Sequence, residues 1–164
     1  MSLADEMVSV KALGALGEAN LQKLAALARL QECPAGALLF READNSTSIF
    51  VVLSGEVTLE VTRRDRTSAA IYTAGPGELI GWSPVLGQHA MTATARVTAP
   101  CRLAVFEVGR VNELIQKDPH FGVTFLRKLA LIVSDRLSVT RHCLASVRDH
   151  FESPRFSILR EGSD

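Results

Sequence analysis

The sequence lacks the features that mark several large classes of protein. Its three cysteines, Cys33, Cys101 and Cys143, are odd in number and widely spaced, which disfavours a disulfide framework and suits reduced thiols. Eighteen basic and eighteen acidic residues give a formal net charge of zero, so no global basic field attracts nucleic acid or an anionic membrane. No apolar run approaches the ~18–20 residues that span a bilayer. We therefore expect a cytoplasmic protein with no membrane partner.

Patterns for catalysis and metal binding are also missing. The four histidines show no His-x-His or His-Glu-x-x-His spacing, and no Gly-x-Ser-x-Gly elbow occurs. A cupin-like enzyme would gather His and Glu ligands from neighbouring strands, and the sequence offers no such set. We expect neither an enzyme, nor a metal centre, nor a resident cofactor.

Hydrophobic periodicity divides the chain, whose 164 residues suffice for one ordinary core. Residues 1–29 have a helical pattern. Residues 30–109 are rich in Val, Thr, Ile and Phe and are interrupted by turn residues roughly every ten positions, which predicts short antiparallel strands. Residues 110–147 are helical again, with a short helix before Asp118-Pro119 and a long one after it, and residues 148–164 form a tail.

A heptad seam runs along the long helix, with residues spaced alternately four and three apart. Its members are Leu126, Ala130, Val133, Leu137, Thr140, Leu144 and Val147. A helix of ~28 residues is ~42 Å long, which exceeds what a small barrel covers. The seam therefore predicts a homodimer interface, and the alternative is a helix buried wholly within one chain.

Three segments resemble the cyclic nucleotide-binding domain of catabolite-activator-type bacterial regulators, cyclic-nucleotide-dependent kinases and gated channels. They read Pro34-x-Gly36 followed by Phe40-Arg41-Glu42-x-Asp44, then Ile49-Phe50-Val51-Val52-Leu53-Ser54-Gly55-Glu56-Val57, and finally Gly75-Pro76-Gly77-Glu78-Leu79-Ile80-Gly81. The resemblance covers about residues 13–147. It implies a mainly-β fold, an eight-stranded antiparallel jelly roll, with N-terminal helices and a long C-terminal helix.

The resemblance also locates a phosphate-binding cassette after Gly81. In the family this segment begins Gly-Glu-Leu/Ile-Ala and ends Arg-Ser/Thr-Ala, and its Glu binds the ribose hydroxyl while its Arg pairs with the cyclic phosphate. This chain has Trp82 in place of the Glu and Met91 in place of the Arg. A thioether cannot imitate the bidentate pairing of Arg with phosphate, so we expect no ordinary cAMP binding.

Other cassette residues keep polar groups. Ser83 followed by Pro84 predicts an N-cap and a short helix whose free N–H groups face an anion. By resemblance, the long helix adds a Thr and its neighbour, which touch the nucleotide base across the dimer. The expected ligand-binding residues are Gly81, Trp82, Ser83, Gln88, His89, Met91, Thr92, Thr140 and Arg141.

Two of these residues, Trp82 and Thr140, admit two interpretations, whereas Met91 is expected to have a structural role. Trp82 either lines a ligand or fills the volume left by the missing Glu and ribose. Met91 alternates with polar residues along its strand and is expected to face the core. Thr140 either contacts a ligand or sets the register of the helix pair.

Together these features predict a homodimeric module that senses a small effector and regulates a partner. The seventeen residues after Val147 are too few for a winged or three-helix DNA-binding module, so no direct nucleic-acid binding is expected. One alternative is a degenerate, ligand-free dimeric scaffold whose pocket is filled by Trp82 and Met91. Another is the effector half of a truncated transcriptional regulator.

Overall fold

The computed structural model describes residues 3–9, 13–88 and 90–150. Four α-helices flank a set of β-strands in this part of the chain. The helices are α1 (Leu3–Ser9), α2 (Glu18–Ala25), α3 (Val108–Lys117) and α4 (Pro119–His150), with a short 3-10 helix at Gly14–Leu16. The strands are β1 (Arg29–Cys33), β2 (Leu38–Phe40), β3 (Ser48–Thr62), β4 (Ser68–Ala74), β5 (Leu79–Ile80) and β6 (Thr94–Glu107).

Two long antiparallel strands, β3 and β6, organise the sheet. The first half of β3 pairs with the second half of β6 and with β5, while β1 pairs with that same half of β6. The second half of β3 pairs with the first half of β6 and with β4, and β2 pairs with that half of β6. All of these pairings are antiparallel, as the jelly roll requires.

The predicted fold class is confirmed, but the described residues form six strands where the resemblance implies eight. Ser54-Gly55 is not a turn between two strands: β3 continues through it, with register shifts between Val52 and Val57. Ala99-Pro100, whose composition is typical of a corner between two strands, likewise lies inside β6. One half of β3 and one half of β6 form a four-stranded group with β1 and β5, and the other halves form a second group with β2 and β4. The six strands therefore supply eight paired segments.

Alternating side chains of the long strands enter two hydrophobic cores. The helical core packs the helices on the strands and comprises Met7, Leu13, Leu16, Leu21, Leu24, Ile49, Val51, Leu79, Ala104, Phe106, Val108, Val111, Phe121, Phe125 and Leu129. The barrel core lies between the strands and comprises Cys33, Phe40, Phe50, Val52, Val57, Ala74, Ile80, Met91, Ala95, Val97, Cys101, Leu103 and Val105. A period of two along each strand separates the two sets.

Asp118 and Pro119 set the boundary between α3 and α4. The Asp118 carboxylate accepts a hydrogen bond from the Phe121 amide at 3.0 Å and so caps α4, and Pro119 occupies the first helical position, where its missing N–H costs nothing. Lys23 of α2 pairs with the same carboxylate at 2.5 Å. These contacts fix the start of α4 beside α2.

The chain divides into two compact units, Met1–Ile132 and Val133–Asp164. In the first unit, α4 buries Phe121, Phe125 and Leu129 in the helical core. In the second unit, the described side chains from Leu137 to Ser146 are exposed. No helix in the described ranges is long and apolar enough to cross a membrane.

Candidate functional site

Gly81 begins the cassette and lies in a tight space after β5. A Cβ atom there would lie 3.2 Å from both the Phe40 ring and the Ser48 carbonyl oxygen, and 3.4 Å from the Phe50 ring. The backbone φ of Gly81 is +77°, a left-handed conformation that a side chain disfavours. Both constraints explain why the chain enters the cassette through a glycine.

The segment after Gly81 is a single turn, so the predicted short helix is wrong. The amides of Gly87 and Gln88 donate to the carbonyls of Pro84 and Ser83 at 3.2 and 3.0 Å, and Gly87 has φ +82°. These two hydrogen bonds form a Schellman motif, which ends the helical geometry after a single turn. Pro84 and Gly87 are too close in sequence for a longer helix.

The amides that were expected to face an anion instead form hydrogen bonds within this turn. The Val85 amide donates to the Trp82 carbonyl at 2.9 Å, and the Leu86 amide donates to the Ser83 carbonyl at 3.1 Å. Together with Gly87 and Gln88, all four amides that follow Pro84 are bonded within the turn. The expected row of free N–H groups is therefore absent from this turn.

Met91 is held rigidly at the far end of the cassette. Its amide donates to the Asp44 carbonyl at 2.9 Å, and its own carbonyl accepts from the Ala43 amide at 2.8 Å. The side chain is 4% exposed and belongs to the barrel core. Position 91 therefore presents a buried thioether and a backbone whose polar groups are both satisfied.

The loop of residues 42–44, which is hydrogen-bonded to the main chain of Met91, is itself held by two further hydrogen bonds of Glu42. The Glu42 amide donates to the Thr94 hydroxyl at 2.9 Å, and the Glu42 carboxylate accepts from the Thr62 amide at 2.9 Å. This hydrogen bond from Thr62 holds the pKa of Glu42 below its ordinary value. Ala43, the residue after Glu42, has φ +69°, which is uncommon for a residue other than glycine.

Comparison with known proteins agrees with the fold. A family model of the cyclic nucleotide-binding domain matches residues 30–118, more than half of the chain. The chain belongs to the cyclic nucleotide-binding domain family. The assignment of Gly81 to Thr92 as the cassette, with Trp82 and Met91 at the family's Glu and Arg positions, stays a prediction from the sequence resemblance.

Solved structures share the fold. A cyclic nucleotide-binding domain from Methylobacillus flagellatus is 18% identical, with a TM-score of 0.76 over 88% of this chain and 82% of that one. The c-di-GMP responsive global regulator CLP of Xanthomonas campestris is 20% identical, with a TM-score of 0.72 over 82% of this chain and 65% of that one. At these identities the likeness concerns the fold.

Among curated relatives, the lysophospholipase nte1 of Neurospora crassa is 31% identical over 102 residues. The match covers 62% of this chain but only 6% of that protein. The likeness therefore concerns one small region of a much larger protein.

Trp82 and Met91, the residues predicted at the family's Glu and Arg positions, pack in different surroundings. Trp82 is half-buried and packs, with Val85, against the helical core. Met91 lies in the barrel core. The two side chains therefore pack against different groups of residues.

The other expected ligand residues are distributed unevenly. Ser83 is buried, whereas Gln88 and Thr92 are exposed, and His89 lies outside the described residues. Thr140 and Arg141 belong to the second unit, where both are exposed and the Thr140 hydroxyl donates to the Arg136 carbonyl at 2.9 Å. Within the part of the chain that the structure describes, no group of three His, Cys, Asp or Glu residues could hold a metal ion.

Sequence reasoning missed the loop of residues 42–44 as part of the site. Glu42 and Asp44 were among the residues that carried the family resemblance, but their contacts with Thr94 and Met91 join positions about fifty residues apart. No local pattern reveals such a contact. The only available signal was the family motif itself.

Proposed function

We propose that this chain is a regulatory sensor domain whose cassette binds a small effector other than cAMP. One observation carries the proposal: Met91, which the sequence resemblance puts at the position of the phosphate-binding Arg, is buried and fixed by two backbone hydrogen bonds. The loss of a buried, charge-assisted contact costs about 2–5 kcal/mol, or roughly 30-fold to several-thousand-fold in affinity. Binding of cAMP at micromolar concentration is therefore not expected.

The groups that remain favour a neutral, flat ligand over a small anion. Trp82 is half-buried and offers an aromatic surface for stacking. The amides of Val85 to Gln88 are bonded within the turn, so they do not stabilise a negative charge. The hydroxyl of Ser83 and that of Thr92 are the polar groups suited to orient such a molecule.

Isothermal titration calorimetry tests the proposal directly. The panel is cAMP, cGMP, c-di-GMP, inorganic phosphate and neutral aromatic bases and nucleosides, with c-di-GMP included because the similar regulator CLP is described as responsive to it. We expect no heat from cAMP at micromolar concentration and binding of at least one neutral aromatic compound. Micromolar binding of cAMP to the unchanged protein would overturn the proposal.

A pair of substitutions tests the reason for the altered specificity. The double variant Trp82→Glu, Met91→Arg restores both family residues, and Met91→Leu is the control that changes the side chain without adding charge. We expect the double variant to gain at least about 30-fold in cAMP affinity, the lower bound set by one buried charged contact, and Met91→Leu to gain none. Circular dichroism establishes that each variant is folded before titration.

A second candidate is a dimeric scaffold that binds no ligand. The observation in its favour is that Trp82 and Met91 each pack against a hydrophobic core, which reduces the space that a ligand could occupy. If no compound in the panel binds, and the double variant also fails to bind cAMP while remaining folded, this candidate is the better one.

We further propose that the exposed seam of α4 forms a homodimer. Leu126, Leu137 and Leu144 are 39%, 49% and 60% exposed in the single chain. Ala130 and Thr140 are also exposed, Val133 is half-buried, and the side chain of Val147 lies outside the described residues. Leucines at heptad spacing on an exposed helix face support pairing with a second copy.

A further inference from the structure

Cys33 and Cys101 face each other across two neighbouring strands. Cys33 is the last residue of β1, and its partner in the antiparallel ladder with β6 is Cys101. Residues directly opposite in such a ladder have side chains on the same face and Cα atoms about 4.5–5.5 Å apart. A disulfide needs a Cα separation of about 4.4–6.8 Å, so this pair satisfies the backbone requirement.

Both thiols are buried in the barrel core and are reduced in this structure. The Cys101 Sγ lies 3.1 Å from the Ala99 carbonyl oxygen and 3.2 Å from that of Glu56, whereas the Cys33 Sγ accepts from the Gln31 side-chain amide at 3.3 Å. Burial raises the pKa of the Cys101 thiol, and the neighbouring Cys33 raises it further.

A cavity gives small molecules access to this pair. It has a volume of about 480 Å³ and is lined by Glu32, Cys33, Pro34, Pro100, Cys101 and Arg102. The Arg102 guanidinium on the cavity wall pairs with Glu6 at 3.1 Å and with Glu32 at 3.8 Å, so its positive charge is compensated. The thiolate is the form that reacts with oxidants, and because the pKa of the Cys101 thiol is raised, its reaction with peroxide is slower than that of an ordinary cysteine.

We propose that Cys33 and Cys101 form a reversible intrachain disulfide when the protein meets a hydroperoxide. One thiolate attacks the peroxide oxygen, which breaks the O–O bond and gives a sulfenic acid and, after protonation, water. The second thiol then attacks the sulfenic sulfur, forms the S–S bond and releases a second water molecule. Two thiols are oxidised by two electrons while one hydrogen peroxide is reduced to two water molecules. A dithiol such as dithiothreitol reverses the reaction.

The location distinguishes this pair from the third cysteine. Cys143 lies exposed on α4, so its oxidation would link two chains rather than two strands. Cys33 and Cys101 are separated by 68 residues in sequence and meet only in the folded chain. A bond between them would tie β1 to β6 next to Pro34 and Pro100, where the ladder ends.

Peptide mapping tests the proposal on the folded protein. The Cys143→Ser variant removes the exposed thiol and serves as the background. It is treated with hydrogen peroxide at neutral pH, alkylated under denaturing conditions, digested with trypsin and analysed by mass spectrometry. We expect both remaining thiols to resist alkylation and residues 30–41 to be recovered joined to residues 97–102, a species that disappears after dithiothreitol.

Two further samples make the result specific. Cys33→Ser in the same background leaves Cys101 without a partner, so no linked peptide should appear. Protein oxidised in concentrated urea should yield far less of the linked peptide, because the fold no longer holds the cysteines together. Alkylation of both cysteines after peroxide treatment of the folded background variant would overturn the proposal, as would oxidation to separate sulfinic acids with no linked peptide.

Discussion

Replacement of Gly55 by alanine should destabilise the protein strongly, because the chain has no room for a Cβ atom at the bend of β3. A Cβ atom at this position would lie 2.2 Å from the Pro100 carbonyl oxygen and 2.8 Å from both the Cα and the Sγ of Cys101. The first two contacts are with backbone atoms of β6, which pairs with β3 on both sides of the bend. Relief of the clash therefore requires the two central strands to move apart.

Two costs contribute to the expected loss. The φ of Gly55 is +86°, and a side chain in a left-handed conformation costs about 1–2 kcal/mol. Overpacking of a close-packed interior costs about 1–3 kcal/mol. We expect Gly55→Ala to lower the free energy of unfolding by about 2–5 kcal/mol, a large part of the stability of an ordinary domain.

Gly36→Ala separates these two costs. Gly36 has φ +88°, nearly the same conformation, but no atom lies within 4 Å of the position that its Cβ atom would take. It should therefore incur the conformational cost alone. Gly81→Ala, with contacts at 3.2 Å and φ +77°, should fall between the two.

Urea unfolding followed by circular dichroism measures the series. With a slope of about 2 kcal/mol per molar urea, Gly55→Ala should unfold roughly 0.5–1.5 M earlier than Gly36→Ala. An unchanged slope would show that the variants differ in stability rather than in the extent of unfolding. Equal midpoints for Gly55→Ala and Gly36→Ala would refute the steric argument and, with it, the close approach of β3 to β6 at Cys101.

Two further predictions concern α4. Lys23 is the main cause of the lowered pKa of Asp118. The ionised carboxylate therefore stabilises the fold at pH values above its ordinary pKa, and this stabilisation is lost as the pH falls through the lower pKa of the folded protein. Urea midpoints measured from pH 6 to 2 should therefore fall less for Asp118→Asn than for the unchanged protein, and an identical fall would contradict this role. If the proposed homodimer forms through the seam, Leu137→Lys should shift it to monomer in analytical ultracentrifugation, whereas Val139→Lys, similarly exposed but off the seam, should not. Equal effects of the two substitutions would reject the seam.

The sequence predicted the fold class well because its signals are local or belong to a family. Alternation along Val57, Leu59 and Val61 reveals a strand without knowledge of its partner. The extent of β3 was not predictable in the same way. Ser54-Gly55 is locally a turn signal, and it becomes a bend within a continuous strand only because β6 pairs on both sides of it.

The candidate site was less predictable because its decisive contacts join distant residues. The family pattern identified positions 82 and 91, yet it gave no indication that the amides after Pro84 are satisfied within their own turn. The hydrogen bonds of Ala43 and Asp44 with Met91 join two loops, and the opposition of Cys33 and Cys101 follows from the register of β1 against β6. Register depends on the whole sheet and is invisible to a short sequence window.

Trp82 and Met91 pack in different surroundings, and this difference bears on how ligand binding would be transmitted to α4. Met91 is fixed to residues 43 and 44 by main-chain hydrogen bonds and has no free polar group on its side chain, so it supplies a rigid wall. Trp82 instead packs against the helical core, which also contains Phe121 and Phe125 of α4, stacked at 5.5 Å. A ligand that displaces Trp82 must repack that core, and close-packed cores respond by discrete rearrangement rather than by smooth deformation. We therefore expect the tryptophan face, and not the methionine wall, to couple ligand binding to the first half of α4.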